Sequence, residues 1–262
     1  MHKAARLRLG TRGSPLALWQ ARAVAAALCR VHGWTGDAVA IVTVTTTGDR
    51  VQDRPLADIG GKALWTKELD RALLAGAIDI AVHSAKDIES VRPPAIVLAA
   101  TLPRADVRDR IIGIDGIERL APGMRVGTAS PRRAAQLLAR EPALTIVPFR
   151  GNVATRIDRV ARGEADATLL AAAGLDRLGI DTGVPLPTEL MLPAPGQGAI
   201  GIECRSADAA TRAAVAVIDD AATTVAVRAE RAVAEALGGN CHSPLAAFAD
   251  TVPDGFRLRA EI

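Results

Sequence analysis

Aromatic residues are scarce: three tryptophans, three phenylalanines and no tyrosine in 262 residues. A binder of single-stranded nucleic acid needs stacking platforms, so no nucleic-acid partner is expected. Cysteine is scarce as well. Cys29, Cys204 and Cys241 are odd in number and far apart, which offers neither a disulfide framework nor a metal spacing. The four histidines, at 2, 32, 83 and 242, add no zinc pattern, and no metal is expected. No run of eighteen apolar residues occurs, and the amino terminus carries no apolar signal region. A cytoplasmic protein without a membrane partner is expected. Lysine is nearly absent, four residues against 28 arginines.

What is present is a chain that is 49% hydrophobic, enough for real cores in two or three small domains. Its positive charge is concentrated. Residues 125–162 hold eight arginines (125, 132, 133, 140, 150, 156, 159, 162) against Glu141 and Asp158, a net charge of +6 where the whole chain is only +3. Within this stretch Ser130 is a natural N-cap and Pro131 suits the first helical position. Arg132 and Arg133 then fall at the positive end of the helix dipole, where cations are disfavoured. Two in a row imply an anion that offsets the penalty, held by backbone N–H groups and guanidinium forks. Asn152 can cap a following helix that carries Arg156. A solvated basic face in an arginine-rich chain is the other reading.

Strands are expected at 5–9, 39–44, 78–82, 96–101, 110–114, 124–127, 145–149, 165–170 and 199–204, and helices at 15–32, 67–74, 207–218 and 224–237. Residues 174–179 read as a turn region, 192–198 as a Pro-Gly hinge, and 245–262 as a hairpin around Pro253-Asp-Gly255. Gly10-Thr-Arg-Gly-Ser14-Pro15 and Gly127-Thr-Ala-Ser130-Pro131 share an order: strand, Gly-Thr, then Ser-Pro opening a helix. The pattern is that of a two-domain hinged α/β protein with a ligand cleft, followed by a small α+β unit.

Two residues stand out chemically. Asp87 follows the strand at 78–82, where parallel α/β sheets place ligands. A carboxylate there can hold a cation or move a proton; a helix cap or an ion pair with Lys86 would also explain it. Cys241 lies in a glycine-rich loop, where a reactive thiolate is one reading and an ordinary loop cysteine the other.

Taken in order, several segments resemble the porphobilinogen deaminase (hydroxymethylbilane synthase) family over almost the whole chain. They are Thr11-Arg-Gly-Ser-Pro-Leu-Ala-Leu-Trp-Gln20, Gly60-Gly-Lys-Ala-Leu-Trp65, Ala81-Val-His-Ser-Ala-Lys-Asp87, Gly127-Thr-Ala-Ser-Pro-Arg-Arg133, Arg150-Gly-Asn-Val-Ala-Thr-Arg156, Leu192-Pro-Ala-Pro-Gly-Gln-Gly-Ala199 and Gly201-Ile-Glu-Cys204, with the Cys241 loop after them. The resemblance implies two hinged domains like the type II periplasmic binding proteins, at 1–102 with 199–218 and at 103–198. A third, cofactor-carrying α+β domain would span 219–262 and be incomplete, since family members continue past the position of Ile262. It implies a monomeric transferase that condenses four porphobilinogens head to tail, releasing four ammonia. The primer would be a dipyrromethane cofactor bound by a thioether to Cys241. By the same resemblance Ser84, Lys86, Asp87, Thr128, Ser130, Arg132, Arg133, Arg150 and Gly151 contact the cofactor. Arg12, Ser14, Lys62, Arg150, Arg156, Arg177 and Gln197 meet the substrate carboxylates. Asp87 is the catalytic residue, stabilising the azafulvenium cation formed as ammonia leaves. An anion-binding protein of the same fold would need neither Cys241 nor Asp87.

Overall fold

The computed structural model describes residues 5–45, 66–238, 243–253 and 255–262. Lys62 and Cys241 therefore lie outside the described residues.

The chain forms two five-stranded mixed sheets and a hairpin. The first sheet has the order β2-β1-β3-β10-β4, from β1 (Leu7–Thr11), β2 (Val39–Thr43), β3 (Ile80–Ser84), β4 (Ile96–Thr101) and β10 (Ile200–Arg205). The second has the order β7-β6-β8-β5-β9, from β5 (Asp109–Ile112), β6 (Arg125–Gly127), β7 (Thr145–Val147), β8 (Ala167–Ala171) and β9 (Val184–Pro185). The two orders correspond strand for strand. In each sheet the fourth strand runs antiparallel and sits next to a crossing of the chain: β10 pairs antiparallel with β3 and β4, and β5 with β8 and β9. The sheets are thus mixed rather than wholly parallel, and the expected pair of hinged α/β units of like topology is present.

Helix α1 (Pro15–His32) is capped by Ser14, whose hydroxyl accepts from the Ala17 N–H, and ends at Gly33 in the left-handed region. Its buried face, Ala21, Val24 and Leu28, follows helical spacing and packs on Leu7, Leu9, Ile80 and Ile202 of the first sheet. Helix α2 (Lys67–Leu74) buries Leu69 and Leu73. In the second unit, α3 (Pro131–Arg140) is capped by Ser130 and α4 (Val153–Ala161) by Asn152, each side chain accepting from the N–H three residues on. A core of Ile111, Val126, Leu137, Leu169 and Met191 joins α3 to the sheet, and Val153 and Ile157 of α4 pack on Ile112, Leu170 and Leu175. The 174–179 segment read as a turn is partly helical: α5 spans Ala172–Arg177. Helices α6 (Ala209–Ala216) and α7 (Ala221–Ala236) follow, and α7 packs on the hairpin of β11 (Ala246–Val252) and β12 (Gly255–Glu261).

The repeated Gly-Thr motif has one structural reason. A Cβ on Gly10 would come within 2.3 Å of the Ile78 side chain, and one on Gly127 within 2.4 Å of the Phe149 ring. At both strands the missing side chain lets a large buried residue cross the backbone just before the helix start.

Candidate active site

The carboxyl ends of four strands converge on one cleft of about 910 Å³. β1 leads to Arg12 and Ser14. β3 delivers Ser84 and then a single 3-10 turn, Ala85–Asp87. β6 leads to the Ser130 cap of α3, and β8 runs into α5, which ends at Arg177. Of the expected residues the cleft brings together Arg12, Ser14, Ser84, Lys86, Asp87, Ser130, Arg132, Arg133, Arg150, Gly151, Arg156, Arg177 and Gln197. Thr128 is buried beside these residues, and its hydroxyl accepts from the Ser130 N–H at 3.1 Å, which orders the cap.

The anion demanded by Arg132 and Arg133 turns out to lie within the chain. Asp109, at the start of β5, is fully buried. Its carboxylate accepts from Arg132 Nη2 at 2.7 Å and from Arg133 Nη2 at 2.7 Å and Nε at 3.2 Å. Gln197 Nε2 donates to it at 2.8 Å. The remaining fork of Arg133 reaches the Leu169 carbonyl, and that of Arg132 the Leu192 carbonyl. Burial alone would raise the Asp109 pKa. The charges of the two arginines outweigh it and hold the carboxyl far below the usual range. Sequence reasoning missed this residue; an acid opening an apolar strand, Asp109-Arg-Ile-Ile, was the available signal.

Arg156 and Arg177 have no such partner among the described residues. Arg156 Nε donates to the Gly151 carbonyl at 3.0 Å, and Arg177 Nη2 to the Gly198 carbonyl at 2.7 Å with its guanidinium 5.7 Å from the Trp19 ring. Neither is ion-paired among the described residues. Burial lowers both pKa values to about 10, with the charge of Arg133 adding to the effect on Arg156. Lys86 is lowered further, to about 8, by burial first and then by Arg133. The Asp87 carboxylate makes no hydrogen bond or ion pair among the described residues, so it is neither a cap nor the partner of Lys86. The cleft therefore holds cationic groups with spare hydrogen-bonding capacity beside one uncommitted carboxylate. Such a donor set suits a ligand carrying several carboxylates and developing positive charge at one point.

The family model described as "Porphobilinogen deaminase, dipyromethane cofactor binding domain" matches residues 7–213. The chain belongs to the porphobilinogen deaminase family. The porphobilinogen deaminase of Sphingopyxis alaskensis is 58% identical over 98% of this chain and 84% of its own length. The chloroplastic porphobilinogen deaminase of Oryza sativa is 47% identical over 97% of this chain and 72% of its own. Among solved structures, a periplasmic substrate-binding protein of an ABC transporter from Coxiella burnetii aligns over 90% of this chain and all of its own, at 15% identity and a TM-score of 0.48. In a porphobilinogen deaminase the group to be held is a dipyrromethane with four carboxylates. The residues present fit it, because Lys86, Arg156 and Arg177 line the cleft and form no ion pair among the described residues.

Proposed function

We propose that this cleft performs the porphobilinogen deaminase reaction with Asp87 as its catalytic residue. The enzyme joins four porphobilinogens head to tail, releasing ammonia at each condensation. Each substrate carries an acetate and a propionate, and the cations of the cleft meet these carboxylates through charge-assisted hydrogen bonds of about 1.5–3 kcal/mol each. Ser84, Lys86, Ser130, Arg132, Arg133, Arg150 and Gly151 would hold the dipyrromethane attached at Cys241. Arg12, Ser14, Lys62, Arg156, Arg177 and Gln197, together with Arg150, would meet the incoming and growing units. When bound, the dipyrromethane supplies the nucleophilic pyrrole carbon on which the chain starts.

The side chains do the rest. As the amine leaves porphobilinogen, positive charge develops on its pyrrole. Asp87 in its acid form can hand a proton to the departing amine, and the carboxylate so formed, with no hydrogen bond or ion pair among the described residues, can stabilise the positive charge left behind. The carboxylate then takes up the proton released as the new carbon–carbon bond forms, which balances each cycle. Arg156 and Arg177 fix substrate carboxylates in the same cleft, which limits the approach to one orientation.

The observation that carries this reading is the Asp87 carboxylate in one cleft with Lys86, Arg156 and Arg177, none of the four ion-paired among the described residues. The same proposal divides the chain into units at 1–102 with 199–218, 103–198 and 219–262, and takes the enzyme as a cytoplasmic monomer. The paired sheets with a chain crossing beside each antiparallel strand support the division. No described helix is long and apolar enough to cross a membrane.

Intact mass spectrometry tests the function. Protein made in cells that supply porphobilinogen should exceed its sequence mass by two linked pyrrole units, and Cys241→Ser should remove the excess. An unmodified wild-type chain would instead favour an anion-binding protein of the same fold.

A further inference from the structure

Helix α7 carries two adjacent charged residues that reach opposite ends of the turn bearing Lys86 and Asp87. Arg231 Nη1 donates to the Ile88 carbonyl at 3.0 Å, and its Nη2 to the Glu89 carbonyl and, at 3.1 Å, to the Ser90 carbonyl. These three successive carbonyls follow Asp87 and receive no backbone N–H among the described residues. A planar guanidinium presents its donors to this row of carbonyls as a fixed fork, where an ammonium offers a single nitrogen on a flexible stem.

Glu230 acts on the other end. Its side chain is fully buried. Oε2 accepts from the Gly196 N–H at 2.7 Å, while Oε1 accepts from Arg104 Nη1 at 2.7 Å and from the Ala249 N–H at 2.8 Å. Gly196 in turn presses on the catalytic turn: a Cβ there would lie 3.0 Å from the Ala85 carbonyl carbon and 3.1 Å from the Lys86 nitrogen. The Ala85 N–H is fixed by the Ala199 carbonyl, three residues past Gly196. One helix turn thus clamps the Ala85–Asp87 segment before and after. In sequence, α7 ends five residues before Cys241.

We propose that Arg231 and Glu230 are positioning residues for the condensation, holding Asp87 at the geometry the reaction needs through the two flanks of its turn. The inference rests on Asp87 being the catalytic residue. It also makes α7 the link between the catalytic turn and the segment that bears the attachment cysteine.

The test uses the full-length holoenzyme, with Arg231→Ala and Arg231→Lys beside Asp87→Ala. Intact mass gives cofactor occupancy, hydrogen exchange reads the amides of residues 85–90, and initial rates give kcat and KM. For Arg231→Ala, exchange at 85–90 should rise about 10-fold or more while amides of β6 and β8 keep their protection. Its kcat per holoprotein should fall roughly 10- to 100-fold with KM changed less than about 3-fold. Arg231→Lys should recover part of both. Should Arg231→Ala not fold, Arg231→Gln replaces it and the same outcomes decide. Wild-type kcat with wild-type exchange at 85–90 would overturn the inference. So would exchange raised evenly along the chain, with kcat lost only in proportion to unfolded protein. If Asp87→Ala itself keeps its rate, the catalytic reading fails first, and independently.

Discussion

Asp87 lines the cleft and Asp109 is buried behind its arginines, and the fold treats the two aspartates in opposite ways. Asp109 is buried, accepts from two guanidinium groups and an amide, and is held far below the usual carboxylate range. Asp87 sits on a one-turn segment at the mouth of β3 and is paired with nothing among the described residues. The same contrast separates the cations: Arg132 and Arg133 are tied to Asp109, whereas Arg156 and Arg177 donate to backbone carbonyls and form no ion pair among the described residues. A group that must hold a shape is saturated from within the chain. A group that must meet a ligand is left with capacity to spare.

The sharpest way to break this comparison is to remove each carboxylate in turn. Asp87→Ala should lower kcat by roughly 10²–10³-fold, as expected for a group acting on transition-state charge, while changing unfolding free energy by about 0.5 kcal/mol or less. Asp87→Glu should keep a little activity. Steady-state rates and urea unfolding of the same preparations give both numbers.

Asp109→Asn should show the reverse emphasis. It leaves two buried guanidinium groups without their counter-charge, a loss of roughly 3–5 kcal/mol of stability, read as a lower urea midpoint. The pH dependence sharpens it. The folded-state pKa of Asp109 lies below its unfolded value, so its contribution is complete above the unfolded pKa and is lost only as pH falls through the folded one. The stability gap between wild type and Asp109→Asn should therefore stay constant from pH 5 to 8 and close in strong acid.

The unpaired cations come next. Arg156→Leu and Arg177→Leu should each lower kcat/KM for porphobilinogen about 10-fold or more, the loss of one charge-assisted bond. Neither should destabilise the fold in urea, since burial already disfavours both charges.

The smallest effect concerns Lys86. Its pKa falls from 10.5 to about 8 on folding. Between those values the unfolded chain holds a proton that the folded one lacks, so stability should rise with pH across that window. Lys86→Met should abolish the rise in an unfolding series from pH 7.5 to 10. A bound carboxylate should restore the proton, so substrate binding near pH 8 should take up a fraction of a proton, visible by calorimetry in two buffers.

Much of the site was legible because its signals are local. Ser14, Ser130 and Asn152 announce their helices within three residues, and the cleft forms at the strand ends they follow. What the sequence concealed depends on distant partners. Asp109 gains its meaning from Arg132 and Arg133, more than twenty residues on, and from Gln197, 88 residues away. The expected strand at 78–82 begins instead at Ile80, because the Ala77 and Ile78 N–H groups both turn back to the Ala72 carbonyl and finish α2. Gly174 suggested a turn, yet it sits buried inside α5 with its α-carbon facing Leu16 of α1. Two helices from different sheets approach there, and no periodicity in either could have said so.

The most direct measurement is a substrate pulse given to holo Asp87→Ala, followed by native mass spectrometry. The variant should retain the mass of its two attached pyrroles and gain none, while wild type shows species with one to three added units. An Asp87→Ala ladder like that of the wild type would contradict the assignment of the chemistry to the unpaired carboxylate.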